Sequence, residues 1–103
     1  MTYAVIFTST RTLGDADLYA TWSARMEAEV ATIPGYLSHV GFRDAVTRRG
    51  VTISYFESQE AIRTWRDVQE HREAQRLGRE RFYEEYTVDV AHIERSYSWQ
   101  AEG

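Results

Sequence analysis

The chain has 103 residues, 43% of them hydrophobic, a formal net charge of −4 and no cysteine. An acidic chain whose charges of both signs are interspersed, with no basic stripe, is a poor ligand for nucleic acid, and the missing thiols exclude disulfides, thiolate metal sites and a cysteine nucleophile. Folded units run to about 100 to 150 residues, so one domain over residues 1–103 is expected, and so small a domain gains from burial against a partner subunit. No apolar run approaches the roughly 20 residues of a membrane span, and the start shows no basic segment followed by an apolar stretch and a cleavage site. A cytoplasmic protein is the expectation.

Tyr3 to Arg11 is rich in β-branched and aromatic residues and free of Gly and Pro, the composition of a strand. Thr12 to Asp15 ends it, and Asp15 is placed to cap a helix whose stripe is Leu18, Trp22, Met26, Val30 and Ile33, closed by Pro34 and Gly35. Tyr36 to Asp44 carries Tyr36, Leu37, Val40 and Phe42. Val51 to Phe56 is a second β-rich run beyond a polar turn with Arg48, Arg49 and Gly50, and the pair predicts a hairpin. Ser58 is placed to cap a second helix reaching about Leu77, with Ala61, Ile62, Trp65, Val68, Arg72 and Gln75 on one face. A short helical stretch over Arg79 to Glu85 and a long strand over Tyr86 to Trp99 complete the chain. The Arg-rich pieces around Arg48 and Arg76 to Arg81 read as solvated faces.

The order β, α, β, β, α, β predicts an α+β fold, a ferredoxin-like antiparallel sheet with both helices on one face. Both sides of the strands are apolar: Tyr3, Val5 and Phe7 point one way, Ala4 and Ile6 the other, while Val51, Ile53 and Tyr55 oppose Phe56. Two helices cover one side only, so the other side predicts an interface with a second copy.

Glycine-rich phosphate loops, a Gly-x-Ser-x-Gly elbow and paired-histidine metal motifs are all absent from the sequence. His39, His71 and His92 lie on three different predicted elements, without the spacing common in zinc sites; no metal is expected. Trp65 and Trp22 sit on apolar stripes, where an aromatic either packs in the core or walls a cavity. His71 falls about 110° from the centre of its stripe on an ideal helix. It is either a boundary residue or, because histidine titrates near neutral pH, a proton acceptor.

Three segments, "IPGYLS" at Ile33 to Ser38, "ISYFESQEAIRTW" at Ile53 to Trp65 and "EHREAQRLGRERFYEEY" at Glu70 to Tyr86, resemble the antibiotic biosynthesis monooxygenase family of dimeric α/β-barrel proteins over nearly the whole chain. The resemblance implies a homodimer with its sheets face to face, together forming a dimeric α/β barrel, and a pocket in each subunit between sheet and helices. Family members that oxidise polycyclic phenols use O₂ without metal or flavin, because the deprotonated substrate supplies the electron. The implied function is therefore a cofactor-independent monooxygenase acting on a small aromatic, quinol or polyketide-like substrate. The polar aromatic residue that such relatives carry six positions after the helix Trp is His71 here, giving His71 and Trp65 catalytic places. Trp22, Gln75, Tyr55 and Phe82 are the expected substrate contacts. The Asn that relatives place one turn before that Trp is Ala61 here, which supports an alternative reading as a non-catalytic dimeric binding or stress-response protein. The haem-degrading branch needs a His ten residues after the Trp; the chain has Gln75, a poor iron ligand, so haem binding or degradation is the least supported reading.

Overall fold

The computed structural model describes residues 1–70, 76 and 78–102. Four strands, β1 (Thr2–Arg11), β2 (Tyr36–Arg43), β3 (Arg49–Phe56) and β4 (Tyr83–Ile93), pair antiparallel in the order β2-β3-β1-β4. Helices α1 (Ala16–Val30) and α2 (Gln59–Glu70) follow β1 and β3. The expected β, α, β, β, α, β order and the ferredoxin-like sheet are present. Among the described residues no helix is long and apolar enough to cross a membrane.

The register divides the sheet into two surfaces. Val5 faces Ser54 and Val90, Phe7 faces Thr52 and Val88, and Tyr3 faces Phe56 and His92, all on the helix side. Here Phe56 is fully buried and packs with Val30 and Ile33 at the end of α1 and with Ala61 and Trp65 of α2. On the reverse side stand Ala4, Ile6 and Thr8 with Tyr55, Ile53 and Val51 of β3 and Val40 and Phe42 of β2. Phe42 is 74% exposed there and Val40 41%. Among the described residues both helices pack on the Phe56 side and leave this apolar strand surface to itself, the two-faced sheet expected from the sequence.

β2 departs from simple alternation. Tyr36 is opposite Phe56 and Ser38 opposite Tyr55, so one extra residue is accommodated between them. Such a bulge shifts the parity of everything after it: Tyr36 and His39, three apart, share the helix side, while Val40 and Phe42 fall on the reverse.

Turn chemistry explains the rest of the frame. Gly35 has φ +93, and a Cβ there would lie 2.8 Å from Ala61 Cβ, so both the backbone angle and the approach of α2 require glycine. Ser58 caps α2 as expected, its Oγ accepting from Ala61 N at 3.1 Å. Asp15 differs from expectation: it occupies the cap position of α1 in the left-handed region (φ 58) and makes no side-chain cap bond, its carboxylate instead meeting Arg81 at 3.7 Å.

At the C-terminal side the expected helical stretch is a single π-helical turn, Gly78–Phe82, and β4 begins at Tyr83 rather than Tyr86 and ends at Ile93 rather than Trp99. The cause is a tie from far away in sequence. Arg11 Nη1 donates to the Phe82 carbonyl at 2.6 Å and Thr12 N donates to the same oxygen at 2.9 Å, drawing the turn against the end of β1. Arg48 is likewise held rather than solvated, donating to the Arg11 carbonyl at 2.6 Å and to Glu84 Oε1 at 2.9 Å.

Candidate functional site

Between α1 and the helix side of the sheet lies a cavity of about 210 Å³. Its apolar wall consists of Val5 and Phe7 from β1, Trp22, Met26 and Val30 from α1, and Trp65 from α2. Val88 of β4, also a lining residue, is 50% exposed, so the cavity opens along that edge. A mostly apolar hollow with a few polar groups is the usual character of a small-molecule site.

The aromatic end is built on Tyr19, Tyr83 and Tyr86. Tyr19 and Tyr83 meet edge to face at 5.9 Å, and the Arg11 guanidinium lies 4.0 Å from the Tyr19 ring centre. Burial, and after it a hydrogen bond with Tyr19, pushes the Tyr83 phenol far above its ordinary pKa, so it remains a neutral hydroxyl. Arg43 donates to Ser9 Oγ at 2.8 Å and to the Arg48 carbonyl at 2.8 Å, placing a second guanidinium 6.0 Å from the Tyr83 ring.

The polar end is built on α1, β2 and β3. Glu27, His39, Thr52 and Ser54 line it, with Gln69 of α2. His39 Nδ1 shares a hydrogen bond with the Tyr36 hydroxyl, and its Nε2 stands 3.8 Å from Glu27 Oε1. Burial and then the Glu27 charge raise the Tyr36 pKa, keeping that phenol protonated. Among the described residues no three His, Asp or Glu side chains gather into a metal-holding group.

Of the residues expected from sequence, Trp65 and Trp22 both line the cavity. Phe82 does not. It is fully buried behind the wall, its ring 5.2 Å from Trp22 and 5.6 Å from Tyr19, because the Arg11 tie pulls the π turn inward. Tyr55 stands apart from this cavity: alternation along β3 puts Ser54 and Phe56 on the helix side and Tyr55 on the reverse, opposite Ala4. His71 and Gln75 lie outside the described residues. Ala61 is buried in the core against Gly35.

Sequence reasoning missed His39, Glu27 and Gln69. Gln69 follows Trp65 by one helical turn and could have been found from that stripe; Glu27 follows Met26 on the exposed margin of α1; His39 was hidden by the bulge.

Trp22 Nε1 is buried with no hydrogen-bond partner among the described residues. An unpaired buried donor costs about 1–3 kcal/mol, so Trp22→Phe, which removes the N–H and keeps a ring, is expected to leave thermal stability unchanged or slightly raised. Affinity for a ligand whose oxygen accepts from that N–H is expected to fall about tenfold, as one net hydrogen bond of about 1.4 kcal/mol corresponds to that factor. Calorimetric melting and ligand titration of the two proteins check both halves.

Residues 1–77 match the family model described as Antibiotic biosynthesis monooxygenase. The Bacillus subtilis protein YqjZ is 40% identical over 98 residues, covering 95% of this chain and 84% of its own length. The jasmonate monooxygenase ABM of Pyricularia oryzae is 26% identical over 91% of this chain, which spans only 44% of that protein's length. Among solved structures, SnoaB, a cofactor-independent oxygenase from Streptomyces nogalater, superposes with a TM-score of 0.72 at 17% identity, over 92% of this chain and 95% of its own.

Proposed function

The chain belongs to the antibiotic biosynthesis monooxygenase family, and on that premise we propose that it is a cofactor-independent oxygenase of a small aromatic, quinol or polyketide-like substrate, working as a homodimer. The observation that carries the reading is the cavity itself, an aromatic-walled hollow with its polar groups gathered at one end. A flat phenolic substrate suits it: ring faces against Trp22, Trp65 and Phe7, oxygen substituents toward Ser54, Gln69 and His39. In such a reaction loss of the phenolic or enolic proton makes the ring electron-rich. The enolate passes an electron to O₂, the radical pair recombines at the ring carbon that now bears one hydrogen, the peroxide formed is protonated, and loss of the remaining hydrogen with cleavage of the O–O bond leaves C=O and releases the second oxygen atom as water. The protein's share is to orient the ring and keep solvent from the oxygenated intermediate. His71 is proposed as a polar partner of the substrate on the strength of the sequence resemblance.

Homodimerisation is supported by the reverse surface of the sheet, where Phe42 and Val40 stand exposed beside Ile53 and Ile6. Patches of this kind mark interfaces.

The test is oxygen uptake with a panel of hydroquinones and anthrones. The wild-type protein is expected to consume O₂ above the buffer rate, one molecule per molecule of substrate. Trp65→Phe, which leaves part of the wall empty, is expected to raise KM about tenfold, the equivalent of about 1.4 kcal/mol of lost contact, and His71→Ala to lower kcat. Uptake at the buffer rate with every substrate would reject the oxygenase and leave a binding protein.

A further inference from the structure

The polar end of the cavity contains one arrangement that the family reading does not use. Its three residues come from two elements and meet only because of the bulge in β2. His39 lies at the cavity wall with its side chain 28% exposed, flanked by the Tyr36 hydroxyl on Nδ1 and the Glu27 carboxylate 3.8 Å from Nε2. We propose that His39 Nε2 accepts the proton of a phenolic or enolic hydroxyl bound in the cavity, with Glu27 and Tyr36 as its positioning residues.

The chemistry follows from the order of the groups. Tyr36 stays a neutral phenol, since burial and the nearby Glu27 charge oppose its ionisation; it can hold the ring but is a poor store for a proton. The step requires the tautomer in which Nδ1–H donates to the Tyr36 oxygen, leaving the lone pair on Nε2, on the side of Glu27, which also lines the cavity. The substrate O–H bond breaks, its electron pair stays on the substrate oxygen, and an N–H bond forms at Nε2. The imidazolium produced is then paired with the Glu27 carboxylate, and the substrate anion faces the neutral donors Ser54 and Gln69. The titratable groups that meet His39 among the described residues are Glu27 from α1 and Tyr36 from its own strand. β1 brings Val5 and Phe7 to this wall, β3 brings Thr52 and Ser54, and α2 brings Gln69, all neutral.

This inference rests on the cavity being the site of a phenolic substrate, and its test avoids turnover. An air-stable hydroxyanthraquinone such as alizarin changes colour on losing its phenolic proton, and its binding is followed separately by quenching of tryptophan fluorescence. Bound to the wild-type protein, the dye is expected to ionise at a lower pH than free dye, by about one unit, a tenfold gain in anion. His39→Gln, which keeps a polar contact for Tyr36, is expected to bind the dye and lose that gain; Glu27→Gln is expected to lose about threefold of it. His39→Ala serves as the second variant, with circular dichroism to establish its fold. Equal ionisation in the wild type and both His39 variants overturns the proposal, as does loss of the gain in His71→Ala with His39→Gln unaffected, or failure of the wild type to bind the dye. Retention of the His39-dependent shift without any oxygen uptake would leave this assignment standing and remove the oxygenase reading alone.

Discussion

Ile53→Arg is expected to keep the protein monomeric at micromolar concentration, where the parent is expected to form the homodimer proposed above. Ile53 lies near the middle of the reverse sheet surface, across from Ile6 on one side and Val40 on the other. In a free subunit the arginine would extend into water at little cost. In a face-to-face dimer its charge would be buried without a partner, at a cost of several kcal/mol. About 3 kcal/mol of that already weakens the dimer about a hundredfold. Sedimentation equilibrium over a concentration series measures it, with Ile53→Val as the conservative control that should dimerise like the parent. A wild-type protein that sediments as a monomer, or an arginine variant with an unchanged dimer constant, would place the contact elsewhere or remove it.

The second large effect lies on the opposite side of the same strand. Phe56 is fully buried, with the Tyr36 ring edge-on at 5.9 Å and Val30, Ile33, Ala61 and Trp65 packed with it. Phe56→Ala removes a ring that the surroundings cannot fill, because α1 and α2 are both held to the sheet through it. The expected loss is about 3–5 kcal/mol, a large part of the roughly 5–15 kcal/mol by which such folds are stable. In urea the midpoint should fall by more than 1 M, given an m-value of about 1–3 kcal/mol/M. The measurement belongs at fixed protein concentration, since a dimer's stability depends on it. A loss below about 1 kcal/mol would mean that the helices are anchored by other contacts. Tyr55→Ala, one residue away on the other surface, should cost the isolated subunit much less.

Phe56 and Tyr55 also show how the sequence can be read. Strand composition and the Gly and Pro punctuation locate all four strands, and alternation alone separates Phe56 from Val51, Ile53 and Tyr55. Applied consistently, that parity already directs Tyr55 away from a pocket beneath the helices, so its expected place among the substrate contacts conflicts with the strand pattern itself. The two tryptophans at the cavity wall were legible because helical periodicity is a local property. Three features were not. Phe82 is drawn behind the wall by the Arg11 side chain, an interaction between residues 71 positions apart, and no local pattern encodes it. Asp15 has the composition of a cap and a backbone angle that turns its carboxylate toward Arg81 instead. His39 depends on a bulge whose presence is decided by the pairing of β2 with β3, and simple alternation assigns it no role beside Tyr36.

That bulge makes the histidine's address a matter of counting. Strict alternation over the same residues would send Tyr36 and His39, three apart, to opposite surfaces, and the imidazole would emerge where Phe42 now stands; deleting the extra residue, for example Leu37, would remove the bulge and still leave His39 opposite Ser54 on the cavity side. At this length of chain the extra residue, whatever its identity, is what lets the imidazole and the Tyr36 hydroxyl share the surface that faces Glu27.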